Sequence, residues 1–211
     1  DAKDVEASLD RMRALPEQAR PRALADLLHG LNGALTPAIG DTVKVWAEKN
    51  GSKAKAFSLV GVHSEGKLSQ FGNLPPIAGL VKTTRVPLAG GGCAGVIAFN
   101  IWLPELGPEL ESAVDNTREC RGIIVDLRGN PGGVGAMVMG FGGYFVETTR
   151  SLGTMRTRQV SLNFVINPRG SRADGRAVAP YAGPLAIIVD PMTASTSEIF
   201  ATGMQRIGRA R

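Results

Sequence analysis

The 211 residues are 43% hydrophobic and 20% charged with a formal net charge of +5, enough apolar material for one sizeable domain or one and a half small ones, which excludes a chain disordered throughout. The longest apolar stretches, around residues 135–145 and 184–192, are broken by Gly or Asp and stop short of the roughly 20 residues that cross a bilayer. The 24 Lys and Arg against 19 Asp and Glu are scattered rather than clustered with aromatics, so no nucleic-acid partner is expected.

Residue types are unevenly spread, and the spread suggests two units. All seven lysines lie in the first 82 residues, with His29 and His63, whereas most of the 27 glycines follow Gly79. In the first unit, residues 1–63, Val5, Leu9, Met12 and Leu15 recur at helical spacing, and after Pro16 and Pro21 so do Leu24, Leu27, Leu28 and Leu31. Residues 42–47 then alternate, Asn50-Gly51 offers a tight turn, and residues 56–60 begin a second strand. Helices ahead of one hairpin cannot close a core, so this unit reads as the second half of a small domain. The chain opens Asp1-Ala2-Lys3 with no initiator Met and no basic-then-apolar leader, so processing or truncation ahead of it is expected.

Residues 64–94 carry Gly66, Gly72, Pro75, Pro76, Pro87 and Gly90-Gly91-Gly92 with little periodicity and read as a linker. Cys93 and Cys120 are too few for a disulfide framework and have no further ligands at metal-site spacing, so they read as small buried hydrophobes. No metal or other cofactor is expected. The second unit, 95–211, runs strand (95–99), helix (104–118), strand (123–125), apolar helix (134–145), polar hairpin (154–158 and 161–166), strand (185–190) and a helix from Ser195. Alternating strands and helices with short connections imply an α/β core with a parallel sheet.

In such a sheet the loops after Asp126 and Asp190 leave the same edge, where ligands collect. The first, Gly129-Asn130-Pro131-Gly132-Gly133, puts bare backbone N–H groups ahead of a helix and suits an oxyanion or a phosphate, though no Gly-Lys-Ser/Thr follows. Asp126 and Arg128 are expected to support this turn, because a charge beside a buried strand must be paired. The second loop offers two readings. Ser195 with Glu198 three residues on is the spacing of a capping box. Equally, Ser195 on a sharp strand-to-helix turn could be a nucleophile whose oxyanion is met by nearby N–H groups and the helix dipole.

Residues 122–133 (GIIVDLRGNPGG), followed by 184–190 (PLAIIVD) and 193–200 (TASTSEIF), resemble the carboxyl-terminal processing (tail-specific) serine peptidases. The resemblance covers roughly residues 95–211 and more weakly the rest, and it suggests a chain truncated at both ends. It implies a crotonase-like (ClpP/crotonase type) αβ catalytic domain preceded by a partial PDZ-like α+β unit. It also implies Ser195 as nucleophile and Thr196 with Gly132 or Gly133 as oxyanion donors. Two departures stand out. The lysine base of many relatives lies some 25 residues past the serine, beyond Arg211, and Gln205 is followed by Arg206 where relatives carry Asp.

Residues 83–211 contain neither Lys nor His, so the general base is expected outside this chain and the fragment is expected to be inactive alone. The function implied is a serine endopeptidase cleaving near exposed C-terminal segments, with periplasmic or other extracytoplasmic bacterial location. The alternative is a non-catalytic peptide-binding or scaffold protein of the same fold. Partners implied are proteins or peptides with exposed C-termini. A homo-oligomer stays open, as does membrane association through segments outside the chain.

Overall fold

The computed structural model describes residues 2–49, 51–73 and 76–211, in two compact units, Asp1–Ser64 and Glu65–Arg211. In the first, helices α1 (Ala2–Ala14) and α2 (Arg20–Leu35) flank a single 3-10 turn, and Pro16 and Pro21 sit at helix starts, where a missing N–H costs nothing. Strands β1 (Thr42–Ala47) and β2 (Lys55–Val60) form an antiparallel hairpin with Thr42 opposite Val60 and Ala47 opposite Lys55. Ser52 N–H closes on the Lys49 carbonyl at 3.0 Å around Gly51, while Asn50 of the expected turn lies outside the described residues. Trp46, Phe57 and Val60 remain exposed on this hairpin, which buries little on its own.

The second unit begins inside the stretch expected to be a linker. Strands β3 (Lys67–Ser69) and β4 (Ile77–Gly79) pair antiparallel, and β5 (Val81–Pro87) pairs antiparallel with β6 (Cys93–Phe99) along its whole length. The linker expectation failed because β5 is an edge strand exposed at most positions. Its sequence therefore lacks the apolar alternation of a half-buried strand, and the surrounding Gly and Pro mark turns between strands rather than one long loop.

The chain continues through α3 (Gly107–Thr117), β7 (Gly122–Asp126), α4 (Met137–Gly142), β8 (Arg150–Arg156), β9 (Ser161–Ile166), β10 (Leu185–Ile188) and α5 (Thr196–Arg206). The central sheet has the order β10-β7-β6-β5. Two of its three pairings, β10 with β7 and β7 with β6, are parallel as expected, and β5 is added antiparallel at one edge, so the sheet is mixed. The apolar helix expected over 134–145 contracts to α4 and a 3-10 turn, because Gly140, Gly142 and Gly143 disfavour continued helix.

Ile97, Phe99, Ile123 and Val125 project from the sheet into a core shared with Leu110 and Val114 of α3 and Phe200 and Met204 of α5. Trp102, just after β6, is its pivot. Its ring meets Phe99, Phe141 and Phe200 at centroid distances of 4.7, 5.7 and 5.4 Å in edge-on or tilted arrangements, the geometry aromatic quadrupoles prefer.

Cys93 and Cys120 are joined in a disulfide, contrary to their reading as free buried thiols. Two cysteines 27 residues apart carry no pairing signal by themselves, but folding brings the first residue of β6 beside the corner between α3 and β7, where Arg121 N–H also bonds the Cys93 carbonyl at 2.8 Å. Closing a loop of that length is worth about 3 kcal/mol. Denaturant unfolding of the Cys93→Ser, Cys120→Ser double variant is therefore expected to lose about 3 kcal/mol, and an unchanged midpoint with an unchanged slope would contradict it.

Candidate active site

Strands β6, β7 and β10 run parallel, so residues 100–103, 127–133 and 189–195 leave the sheet at the same edge. Hydrogen bonds stitch them together. Asp190 Oδ1 accepts from the N–H groups of Gly129, Met192 and Thr193, each at 3.0 Å. The Thr193 hydroxyl donates to the Leu127 carbonyl at 2.8 Å, and Ala194 N–H to the Asn130 carbonyl at 3.1 Å.

Two short steps of chain then fix the Gly-rich turn. Trp102 N–H donates to the Gly132 carbonyl at 2.9 Å and the Trp102 carbonyl accepts from Val134 N–H at 2.8 Å, a parallel bridge opposite Gly133. Asn130, fully buried, donates from Nδ2 to the Phe99 carbonyl and accepts Gly132 N–H on Oδ1, both at 2.9 Å. Only glycine fits at 132 and 133. A Cβ on Gly132 (φ +105°) would lie 2.8 Å from the Ser195 Cβ and 3.0 Å from Thr196 N, and one on Gly133 (φ +138°) would lie 2.3 Å from the Trp102 carbonyl oxygen.

Ser195 is the one non-glycine residue with positive φ (55°) among the described residues. A side chain forced into that region is strained, and such strain gathers at functional sites. Ser195 is exposed and is the N-cap of α5. Its N–H is taken by Glu198 Oε2 at 2.5 Å, so the capping-box pairing is present together with the strained elbow. The next two hydroxyls turn inward. Thr196 Oγ1 donates to the Gly133 carbonyl at 2.8 Å, and buried Ser197 Oγ accepts the Trp102 indole N–H at 2.9 Å.

The geometry thus brings Ser195, Thr196, Gly132 and Gly133 together. It also distinguishes the glycines, since Gly132 N–H is engaged by Asn130 while Gly133 N–H has no hydrogen-bond partner among the described residues. Asp126 and Arg128 pair with each other, Nε to Oδ1 at 2.9 Å and Nη2 to Oδ2 at 2.6 Å, and the bonds to the turn itself come from Asp190 and Asn130. The Arg128 guanidinium holds the Asp126 carboxyl below its ordinary range. Sequence reading missed Asn130, Asp190, Trp102 and Ser197. Asp190 with Thr193 at turn spacing was the one available signal.

Within this unit the lysines are Lys67 and Lys82, which pair with Glu109 and Glu65 at 3.6 and 3.3 Å, and residues 83–211 add no Lys or His. Among the described residues no group of three or more His, Cys, Asp or Glu could hold a metal ion.

The peptidase family S41 model matches residues 94–211. Among solved structures the chain is similar to the photosystem II D1 C-terminal processing protease, at 16% identity over 82% of this chain and 43% of that one with a TM-score of 0.47. It is similar to mature CPAF at 10% identity over 80% and 51% with a TM-score of 0.48, and to a lipoprotein from Streptococcus agalactiae at 17% over 61% and 47% with a TM-score of 0.45. The chain spans about half the length of these proteins.

Two outcomes follow from the hydrogen bonds. Ser197→Ala leaves the buried indole N–H of Trp102 unpaired and is expected to cost about 1–3 kcal/mol, read by denaturant unfolding; no loss would mean the bond is dispensable. Asp126 has a lowered folded pKa, so its stabilising contribution is complete above the unfolded pKa of about 3.9 and is lost as pH falls through the folded value. Asp126→Asn is expected to remove that part of the acid limb of the stability curve, and an unchanged acid limb would refute the pairing.

Proposed function

The chain belongs to peptidase family S41, the carboxyl-terminal processing peptidases, and from that premise we propose that it carries the nucleophile half of a serine endopeptidase site. Ser195 is the nucleophile, and the N–H groups of Gly133 and Thr196 receive the oxyanion. The observation that carries this reading is the positive φ of Ser195, a strained and exposed serine at a strand-to-helix turn whose neighbouring glycine could not be replaced without collision.

The reaction would run by attack of Ser195 Oγ on a peptide carbonyl as a base removes its proton. The tetrahedral oxyanion then forms against Thr196 N–H, which as the first helical residue has no partner within α5, and against Gly133 N–H. The base comes from outside these 211 residues, so the chain alone is inactive. The fold proposed for residues 95–211 is crotonase-like. The helices and hairpin of residues 1–63 are proposed as part of a PDZ-like unit that captures C-terminal segments of protein substrates by strand addition. An extracytoplasmic location is supported by the Cys93–Cys120 disulfide, since such bonds persist in oxidising compartments.

The capping pair of Ser195 and Glu198 is the observation favouring a second reading, a non-catalytic peptide-binding or scaffold protein. Fluorophosphonate labelling separates the two. In a protein extended on both sides to include the strands and base expected from family resemblance, Ser195 should label and an unfolded protein should be cleaved. Ser195→Ala should lower cleavage by about a millionfold, the scale seen when a serine nucleophile is removed, while costing no more stability than the about 0.5–2 kcal/mol of a lost helix cap. An extended protein that neither labels nor cleaves supports the scaffold reading. Cleavage by the 211-residue chain that is lost in Ser195→Ala would place the base inside it.

A further inference from the structure

Asn130 has all four of its polar groups in use while fully buried. Its N–H donates to the Leu127 carbonyl at 3.1 Å and its carbonyl accepts Ala194 N–H at 3.1 Å. Nδ2 reaches the Phe99 carbonyl and Oδ1 takes Gly132 N–H. The side chain thus ties the end of β6 to the Gly-rich turn, and the backbone carbonyl of the same residue ties in Ala194, the residue before Ser195.

The same bonds decide which N–H of the turn is open. Trp102 occupies one edge of residues 132–134 through the Gly132 carbonyl and Val134 N–H. In a parallel bridge the flanking residues' carbonyl and N–H face the partner and the bridged residue's own N–H and C=O face away from it, and the Gly133 carbonyl lies on that far edge, where it accepts the Thr196 hydroxyl. Gly133 N–H therefore faces the α5 side, where Thr196 N is 3.0 Å from the Cβ position of Gly132. Gly132 N–H is removed from competition by Asn130 Oδ1.

We propose that Asn130 is the positioning residue of the oxyanion site: by engaging Gly132 N–H and anchoring the turn to Phe99, it makes Gly133 the sole donor the turn offers beside Thr196. This rests on the serine-peptidase reading. An amide is required because the site needs one donor and one acceptor on a neutral, buried group. Asp would bring a buried charge and lose the donor, and Leu would leave the Phe99 carbonyl and Gly132 N–H both unpaired.

The test uses ¹⁵N amide spectra of the base-containing full-length protein with an alanine tripeptide boronic acid, which forms a tetrahedral serine adduct, and with the matching tripeptide carboxylate as ground-state control. Before ligand is added, Gly132 N–H should exchange with solvent at least tenfold more slowly than Gly133 N–H. On adduct formation Gly133 and Thr196 amides should move downfield and Gly132 should not. Asn130→Ala should weaken the boronic acid at least about tenfold, short of the roughly 10²–10³ that outright loss of an oxyanion donor costs, while tripeptide affinity changes less than twofold.

A downfield shift at Gly132, or equal exchange at the two glycines, overturns the proposal, as does equal weakening of both ligands in Asn130→Ala. Those first two readouts need only the unsubstituted protein, so an unfolded variant does not remove the test. Absence of any boronate adduct alongside slow Gly132 and fast Gly133 exchange would defeat the peptidase reading while leaving the turn geometry upheld; fast exchange at Gly132 would defeat the positioning role itself.

Discussion

A single carboxylate oxygen, Oδ1 of Asp190, gathers backbone N–H groups from two loops that the sequence places 61 residues apart. Backbone donors at the end of a parallel sheet lose water as the loops close over it, and each unpaired donor would cost more than a typical hydrogen bond returns. Asp190 answers three of them, the Thr193 hydroxyl accepts the N–H of Asp190 itself and the Asn130 carbonyl accepts that of Ala194. Everything distinctive about the site follows from this closure, since it fixes where the 129–133 turn stands relative to the elbow at Ser195.

Trp102 supplies the complementary constraint from below. Its backbone is one rung of the turn, its indole N–H is held by Ser197 of α5, and its ring is packed among Phe99, Phe141 and Phe200. Packing cohesion and polar geometry are thus coupled in one side chain, and a shift of α5 would carry the glycine turn with it. The strain at Ser195 persists because residues on both sides of it are pinned, Ala194 by Asn130 and Thr196 by Gly133.

The motif-bearing half of the fold was legible because its strands and helices are covered by core and so carry periodic apolar residues. The helix over 104–118 and the strand over 123–125 read correctly for that reason, with Leu110, Val114, Ile123 and Val125 buried on their inner faces. Strand β5 did not, because an exposed edge strand needs no apolar face and its Lys82, Thr83, Thr84 and Arg85 resemble loop residues. The closeness of Ser195 to the Gly132-Gly133 turn was expected from resemblance and parallel topology. The difference between the two glycines was invisible, since it arises from Asn130 and from Trp102, whose positions follow only from tertiary hydrogen bonding. The disulfide was missed for the same reason: sequence distance says nothing of which strand start meets which helix corner.

The disulfide lies where β6 begins and β7 is about to begin, whereas the serine elbow and glycine turn lie where β6, β7 and β10 end. Six residue steps of β6 separate the two ends, about 20 Å at the rise of a strand. Thiol chemistry and hydroxyl chemistry are therefore insulated from each other by the length of the sheet. A reductant acts on this unit as a denaturant does, by changing how much of it is folded, and inactivation by thiols would report the scaffold's survival with no bearing on how the serine reacts.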